Sequence, residues 1–493
     1  MTVRISGLAS GMDTESIINQ LLTVDRNRLV DRFYQQKQTV QWKQEIYRET
    51  NTKMLALRNA AFDLRLQGSF QVKKVETSNS EALTAKAGSN ALNGTYSLEV
   101  LSMAKGAFKE IDVTSLPADY KHIGADKTFK VIGEKGNAEI TVTEGQTMKD
   151  IAASINNVST QTGVQANYDE GVKRLFLMSS NTGSTAKISL ADTADNFLAG
   201  DLGFSTADLD EVLGTDAKVK FNGGAELTFA SNQFTLSGID FNIKKAGETT
   251  NVIVSNDVDG VIDKIKAFVE AYNNVVSFMG DKIAEKRDRD YSPLTQAQKD
   301  EMTEDEVKLW EEKSKSGLLN GDSLYRSLYN SMRSSATGYV SGLAKSAGGK
   351  TYNSLSSIGI TTSDYLDKGK LYIDEDKLRA ALNDDPGAVQ KLFTNTSDSS
   401  SGAVGLASRI YDSVNSAMQQ ITVKAGSSAA LVDVSNFGKE ISRLDSQMSA
   451  GETRLQKLED KYWAQYTAME TALAKLQEKS DWLTQQLSLF TSN

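Results

Sequence analysis

The 493-residue chain has no cysteine and one histidine, His122. That excludes a disulfide scaffold, a thiol nucleophile, a cysteine zinc site and an iron–sulfur cluster. A site of several histidines cannot be built within one chain. No apolar run approaches the ~18 residues of a membrane span, so membrane insertion is not expected. Basic residues are also short: 55 Lys and Arg stand against 64 Asp and Glu, a formal net charge of -9. Nucleic acid is therefore not an expected partner, because phosphate binding needs concentrated positive charge. The start, Met1-Thr2-Val3-Arg4-Ile5-Ser6-Gly7-Leu8, has no basic stretch followed by an apolar run of ~7–15 residues. It is not expected to act as a cleaved secretory signal. The absence of cysteine means that export into oxidising surroundings carries no risk of wrong disulfides.

Length alone predicts about three domains at roughly 150 residues each. The two ends are helical in pattern. Asp13 is a good helix N-cap and Glu15 suits the positive end of the helix dipole. Ile18, Leu22 and Leu29 lead into Phe33, Val40, Tyr47, Met54 and Ala61, the last five spaced seven apart. The flanking seam, Leu29, Gln36, Lys43, Thr50, Leu57 and Leu64, is half polar. At the far end Ile441, Met448, Leu455, Tyr462, Met469, Leu476 and Leu483 form an unbroken heptad series, flanked by Leu444 and Leu458 and later by Tyr466, Leu473 and Leu487. Residues 440–490 contain no proline and one glycine, Gly451. A helix of about 75 Å follows at 1.5 Å per residue. A single apolar stripe needs a partner, either the N-terminal helix or another copy of the chain. The polar seam positions Gln36, Lys43 and Thr50 weaken an isolated pair. They predict weak amide protection over residues 1–40 and 465–493 in the free chain.

Between the ends the period drops to two. Thr95–Val100, Ala138–Val142, Val219–Phe221, Leu175–Leu177, Phe241–Ile243 and Val252–Val254 read as strands, with one amphipathic helix from Met148 to Val158. Residues 70–255 are expected to form two small, mainly β domains. Helical periodicity returns at Val261, Ile265, Phe268 and Tyr272. Residues 281–316, with Arg287-Asp288-Arg289-Asp290 and Glu304-Asp305-Glu306, predict a solvated helical hairpin. Residues 335–363 read as loops around short strands and 394–402 as a flexible linker. The predicted fold class is α+β and multidomain: coiled-coil ends, a helical inner domain, and mainly β domains inserted at the tip.

Chemistry is scarce. Gly348-Gly349-Lys350-Thr351 resembles the end of a phosphate-binding loop, but Ala344 stands where the first glycine belongs. Asp257-Val258-Asp259-Gly260 has calcium-loop spacing, yet Ser255 and Lys266 occupy the first and last ligand positions; Asp257 suits a helix cap better. His122 lies far from any G-x-S-x-G elbow and reads as a surface or strand residue. Among 64 acids nothing singles out a glycosidase pair. No catalytic residue, metal ligand or cofactor is predicted. Trp42, Trp463 and Trp482 all fall on the terminal helices, in helix packing or an intermolecular interface.

Several stretches resemble one family in order along the chain. Ile5-Ser6-Gly7-Leu8-Ala9-Ser10-Gly11-Met12-Asp13-Thr14 is similar to the N-terminal signature of the bacterial flagellar filament cap family, also called hook-associated protein 2. Asn93–Val100 resembles its entry into the first β domain, and Met148–Leu177, with Ile155-Asn156, a β-rich motif shared with flagellin and hook proteins. Phe268–Asn273, Gly317–Asp322, Leu355–Ile360, Gly369–Asp374, Tyr462–Glu470 and Leu483–Leu487 continue the likeness. One departure stands out. The family often has Pro-Leu after the first helix, where this chain has Asn27-Arg28-Leu29, which predicts a straighter helix.

The resemblance implies a structural cap at the distal end of the filament, not an enzyme, which promotes folding and insertion of exported flagellin and prevents its loss to the medium. It implies a ring of identical subunits, usually a pentamer. Further implied partners are flagellin, the hook–filament junction proteins, a cytoplasmic export chaperone and the flagellar type III export apparatus. The implied location is the extracellular tip of the flagellum. The expected segments are an N-terminal axial helix (1–45), a helical leg domain in two parts (46–70 and 256–438), an inner β domain in two parts (71–105 and 216–255), an outer β-rich domain (106–215) and a C-terminal axial helix (439–493). Oligomerisation and filament docking are expected at Ile5, Leu8, Ile18, Leu22, Leu29, Phe33, Val40, Tyr47, Tyr462, Tyr466, Met469, Leu473, Leu476, Leu483 and Leu487. The alternative is a secreted adhesin-like module acting through the tip β domains, with a host surface as partner.

Overall fold

The computed structural model describes residues 10–346, 348–363, 367–395 and 403–491, with side chains to Leu487 in the last helix. The chain enters through helix α1 (Thr14–Arg26), passes one π-helical turn (Asn27–Asp31) and continues as α2 (Arg32–Arg65). Fifteen strands follow, β1 (Lys73–Thr77), β2 (Leu83–Ala87), β3 (Gly94–Ser102), β4 (Phe108–Asp112), β5 (Lys127–Gly133), β6 (Gly136–Val142), β7 (Val164–Asp169), β8 (Arg174–Ser179), β9 (Lys187–Asp192), β10 (Val212–Leu213), β11 (Ala217–Phe221), β12 (Glu226–Phe229), β13 (Gln233–Leu236), β14 (Ile239–Ile243) and β15 (Glu248–Asn256). Among them lie the short helices α3 (Met148–Asn157), α4 (Ser159–Thr162) and α5 (Thr206–Leu209). The chain returns through α6 (Val258–Ala284), α7 (Gln296–Asp300), α8 (Glu304–Lys315), α9 (Ser323–Thr337), the ribbon β16 (Ile360–Thr362) and β17 (Leu371–Ile373), then α10 (Glu375–Asp384), α11 (Pro386–Thr394), α12 (Leu406–Ala425) and α13 (Asn436–Thr491).

Two compact units result: residues 71–260, and the two ends of the chain together. In the β unit all ladders are antiparallel. One pair of sheets, ordered β1-β15-β3-β11-β12 and β13-β14-β2, encloses Leu98, Val100, Val219, Phe241 and Val252. A second pair, β10-β9-β5-β6 and β4-β8-β7, closes with α3 around Phe129, Ile140, Ile155, Leu177 and Phe197. The alternation along β6 and β15 puts every second side chain inside, as the period of two predicts. Helix α3 starts where Thr147 and Asp150 cap each other reciprocally.

His122 differs from expectation. It is buried, with Nε2 2.9 Å from the Ala125 carbonyl and its ring edge-on to Phe197. Its N–H and carbonyl pair with Gln146 and Gly145. The imidazole is a loop pin above an apolar core.

In the helical unit α2 packs against α12 and α13. Val40, Tyr47, Met54 and Ala61 are buried, four of the five seven-spaced residues, and Leu57 and Leu64 join them. The polar seam is satisfied where it is enclosed: the Thr50 hydroxyl donates to Ile46 O and lies 2.7 Å from the Tyr325 hydroxyl. Asp322 caps α9 through the Tyr325 N–H and accepts from the Tyr47 hydroxyl at 2.9 Å. Burial, then Asp322, push the Tyr47 phenol far above its ordinary value. Asp257 accepts from the Gly260 N–H at the start of α6 at 2.8 Å, so it is a cap. The Gly348–Thr351 stretch is a turn closed by a Ser346 N–H to Lys350 O bond, with no helix opening after it. The charge-dense segment is an irregular strap followed by α7 and α8, held by the Trp310 Nε1 bond to Ser292 O and by Lys315 over the Trp42 ring. Most of the predicted 394–402 linker, from residue 396 on, lies outside the described residues.

Candidate docking surface of the terminal helices

Helix α13 is unbroken for 56 residues, about 84 Å at 1.5 Å per residue. Its first part lies on α2, with Phe437 and Leu444 buried and Lys37 paired to Asp445 at 2.6 Å. The two helices meet tightly at Gly451, where a Cβ would stand 2.1 Å from the Leu29 carbonyl oxygen. Only glycine fits. The contact falls on the π turn, so the Asn27–Leu29 departure brings neither a break nor a regular helix. A π turn holds an extra residue and advances the phase of the apolar stripe. Val30 therefore takes the fully buried place, and Leu29 is half-buried.

Beyond this crossing α13 pairs with α1. Ile18 is fully buried and Trp463 is buried. The Tyr462 hydroxyl donates to Asp25 at 2.9 Å, and that bond, then burial and the Asp25 charge, raise its pKa. Glu470 is buried and accepts from both the N–H and the hydroxyl of Ser10. Leu22, Phe33, Tyr466, Met469 and Leu473, on the elements that pair here, are half-buried.

The predicted docking residues thus divide. Ile5 and Leu8 lie outside the described residues. Val40 and Tyr47 belong to the core of the helical unit; the Tyr47 ring meets Tyr325 and Phe437 edge-on. They are enclosed by their own chain because α9, α12 and α13 surround α2, which periodicity cannot show. Ile18, Leu22, Leu29, Phe33, Tyr462, Tyr466, Met469 and Leu473 form the intramolecular pair. Leu476, Leu483 and Leu487 are 62%, 54% and 62% exposed. Every described side chain from Ala474 to Leu487 is exposed. Weak protection is accordingly expected from residue 474 onward and not over 10–40, where Ile18, Val30 and Val40 are buried. Trp482, 59% exposed beside Leu483, was absent from the predicted set because it falls off the heptad; a tryptophan on an otherwise polar helix face was the available signal. Gly451 was visible as the one glycine of residues 440–490, but its contact was not.

The family model of the flagellar hook-associated protein 2 C-terminus matches residues 214–478, and that of its N-terminus matches 10–107. A flagellar hook-associated protein 2 from Halalkalibacterium halodurans is 32% identical over 95% of this chain and 96% of its own length. The chain belongs to the flagellar hook-associated protein 2 family. A member from Thermotoga maritima is 23% identical over 98% of this chain and 96% of its own. The crystal structure of the D1-D2-D3 domains of the flagellar cap protein FliD from Escherichia coli superposes with a TM-score of 0.54 at 19% identity, covering 82% of this chain and 99% of that one. It shares the fold.

The flagellin hook IN motif matches residues 128–181. In this chain the motif has a structural meaning. Ile155 is fully buried against the second β core, while Asn156 turns its amide to the edge strand β7. Among the described residues no three His, Asp or Glu gather as a metal site and no helix is long and apolar enough to cross a membrane. None of these relatives supports the adhesin-like alternative.

Proposed function

We propose that this chain caps the distal end of the flagellar filament, where it promotes folding and insertion of exported flagellin and prevents its loss to the medium. The observation that carries the reading is the continuation of α13 past its intramolecular partner, with Leu476, Trp482 and Leu483 each more than half exposed. A helix that presents large apolar groups to water over about two turns is built to be covered by another chain. The half-buried pair Tyr462–Leu473 with α1 positions that end, and the exposed end docks in the filament. The chain works as a homo-oligomer, with flagellin as its transient client and the flagellar export apparatus as its route outward. Its role is structural: its one histidine and its buried carboxylate Glu470 are engaged in holding the fold.

Electron microscopy of cells lacking the chain, with flagellin measured in the medium, tests this. Bare hooks and flagellin in the medium are expected. Normal filaments would overturn the reading.

A further inference from the structure

The helical unit exposes large apolar side chains at two surfaces that the terminal stripe does not involve. The first is the loop between α12 and α13. Leu431 is fully exposed, and Val432 and Val434 are 74% and 72% exposed. This is not a slack connection. Asp433, between the valines, accepts from Gln44 Nε2 at 2.7 Å, Arg48 at 2.8 Å and the Ser435 N–H at 3.0 Å. Gln44 and Arg48 also hold the last carbonyl of α12, Ala425 O, at 2.9 Å each. Gly426 and Gly438 leave room for the carboxylate, since a Cβ on either would meet Asp433 at about 2.5 Å. A loop fixed at its base by two side chains of α2 thus holds three aliphatic groups out into water.

The second surface is the outer face of α8. Leu309 is 61% exposed there, with Asp305 four residues before it and Glu312 three after, on one stripe of the helix. Helix α8 and its strap are carried by Gln35, which donates to Pro293 O, and by Trp42 under Lys315.

These anchors place the two surfaces. At ~100° per residue, Gln35 and Trp42 share one face of α2, and Gln44 and Arg48 share another roughly 150° away. Trp42 and Gln44 differ by about 3 Å of helix rise. The loop and α8 therefore leave α2 on nearly opposite sides and at nearly the same height. One copy cannot bring them together; a second copy beside it can. Their rims are also complementary. Lys424 and Lys439 flank the loop, and neither has a carboxylate within ion-pair distance among the described residues. Lys424 instead lies over the Phe437 ring. Asp305 and Glu312 likewise have no basic partner among the described residues, and the stripe carries a single base, Lys308.

We infer that the α12–α13 loop of one copy docks on α8 of the next, with Leu431 and Val432 against Leu309 and the flanking lysines against Asp305 and Glu312. Two different surfaces on opposite sides of one element make a head-to-tail contact, which closes into a ring when the rotation between copies divides the circle. The inference rests on the homo-oligomeric reading above and adds the surfaces by which neighbours touch.

Because the chain has no cysteine, the full-length protein can be tested by cross-linking. Leu431→Cys with Leu309→Cys in one chain, mildly oxidised, should give a ladder of covalent oligomers. Either single cysteine alone should give at most dimers. A charge exchange supplies the second arm, read by sedimentation equilibrium. Lys424→Glu with Lys439→Glu should weaken self-association at least tenfold, and adding Asp305→Lys with Glu312→Lys should restore it to within about threefold. Lys439, Asp305 and Glu312 are exposed and Lys424 is half-buried, so circular dichroism should be unchanged. Oligomers that form normally but give no ladder and ignore both charge reversals would overturn this contact and leave the oligomer standing. A wild-type chain that stays monomeric at every concentration would overturn both.

Discussion

The side-chain amide of Asn156 closes a two-bond ring with the backbone of Ala166. Its Nδ2 donates to Ala166 O at 2.8 Å, and the Ala166 N–H donates to its Oδ1 at 2.8 Å. Strand β7 is the edge of its sheet, and an open edge invites pairing with another chain. The amide satisfies one residue of that edge as a neighbouring strand would. Asn156→Ala should lower stability by about 1–3 kcal/mol, the cost of leaving buried backbone groups unpaired. The lower thermal midpoint should be accompanied by aggregation that rises with concentration. Asn156→Asp should lose the donor and keep the acceptor, and fall between.

Gly451→Ala tests the crossing at the π turn. The added methyl would meet Leu29 O well inside contact distance, so the helices must separate. Overpacking of this kind costs about 1–3 kcal/mol. Hydrogen exchange should rise in 14–31 and in 446–463 and stay unchanged in the β unit. Unaltered exchange would mean the crossing relaxes freely.

Leu476→Asp with Leu483→Asp should leave the melting temperature within about 1 °C, since both positions are exposed and surface changes are usually within ±0.5 kcal/mol. Filament growth should fail. Normal filaments from this variant would remove the exposed end of α13 as the docking surface, whatever the role of the rest.

Acid should loosen the α12–α13 loop. Burial alone would raise the Asp433 carboxyl, but Ser435, Gln44 and the Arg48 charge together hold it below its ordinary value. A depressed folded pKa stabilises fully above the unfolded value, about 3.9, and that contribution is lost as pH falls from there through the folded value. Peptides spanning 426–438 should keep constant corrected exchange protection above about pH 5 and lose it below about pH 4. Asp433→Asn should show the weaker protection at neutral pH and no acid step.

Asp13, Asp257, Met148 and the heptads of both ends were legible because each acts within a few residues along the chain. A cap bonds N–H groups of its own first turn, and a buried helix or strand face repeats at the period of its backbone. The alternation that marked Ala138–Val142 and Val252–Val254 as strands was legible for the same reason. So was the α+β organisation, since the period changes from about 3.5 to 2 and back again.

Tertiary structure decided what the stripes face. Tyr47 and Leu476 occupy the same kind of heptad position, yet one is enclosed by α9, α12 and α13 and the other stands in water. Their burial depends on elements hundreds of residues away, and periodicity is blind to them. The Leu29 carbonyl met by Gly451, the amide of Asn156 on β7 and the clamp of Gln44 and Arg48 on Asp433 are contacts across more than 400, 10 and 385–389 residues respectively. Sequence alone determined which faces of this protein are apolar. Only the packed chain determined which of them remain uncovered, because burial is a property of what stands opposite a side chain and not of the side chain itself.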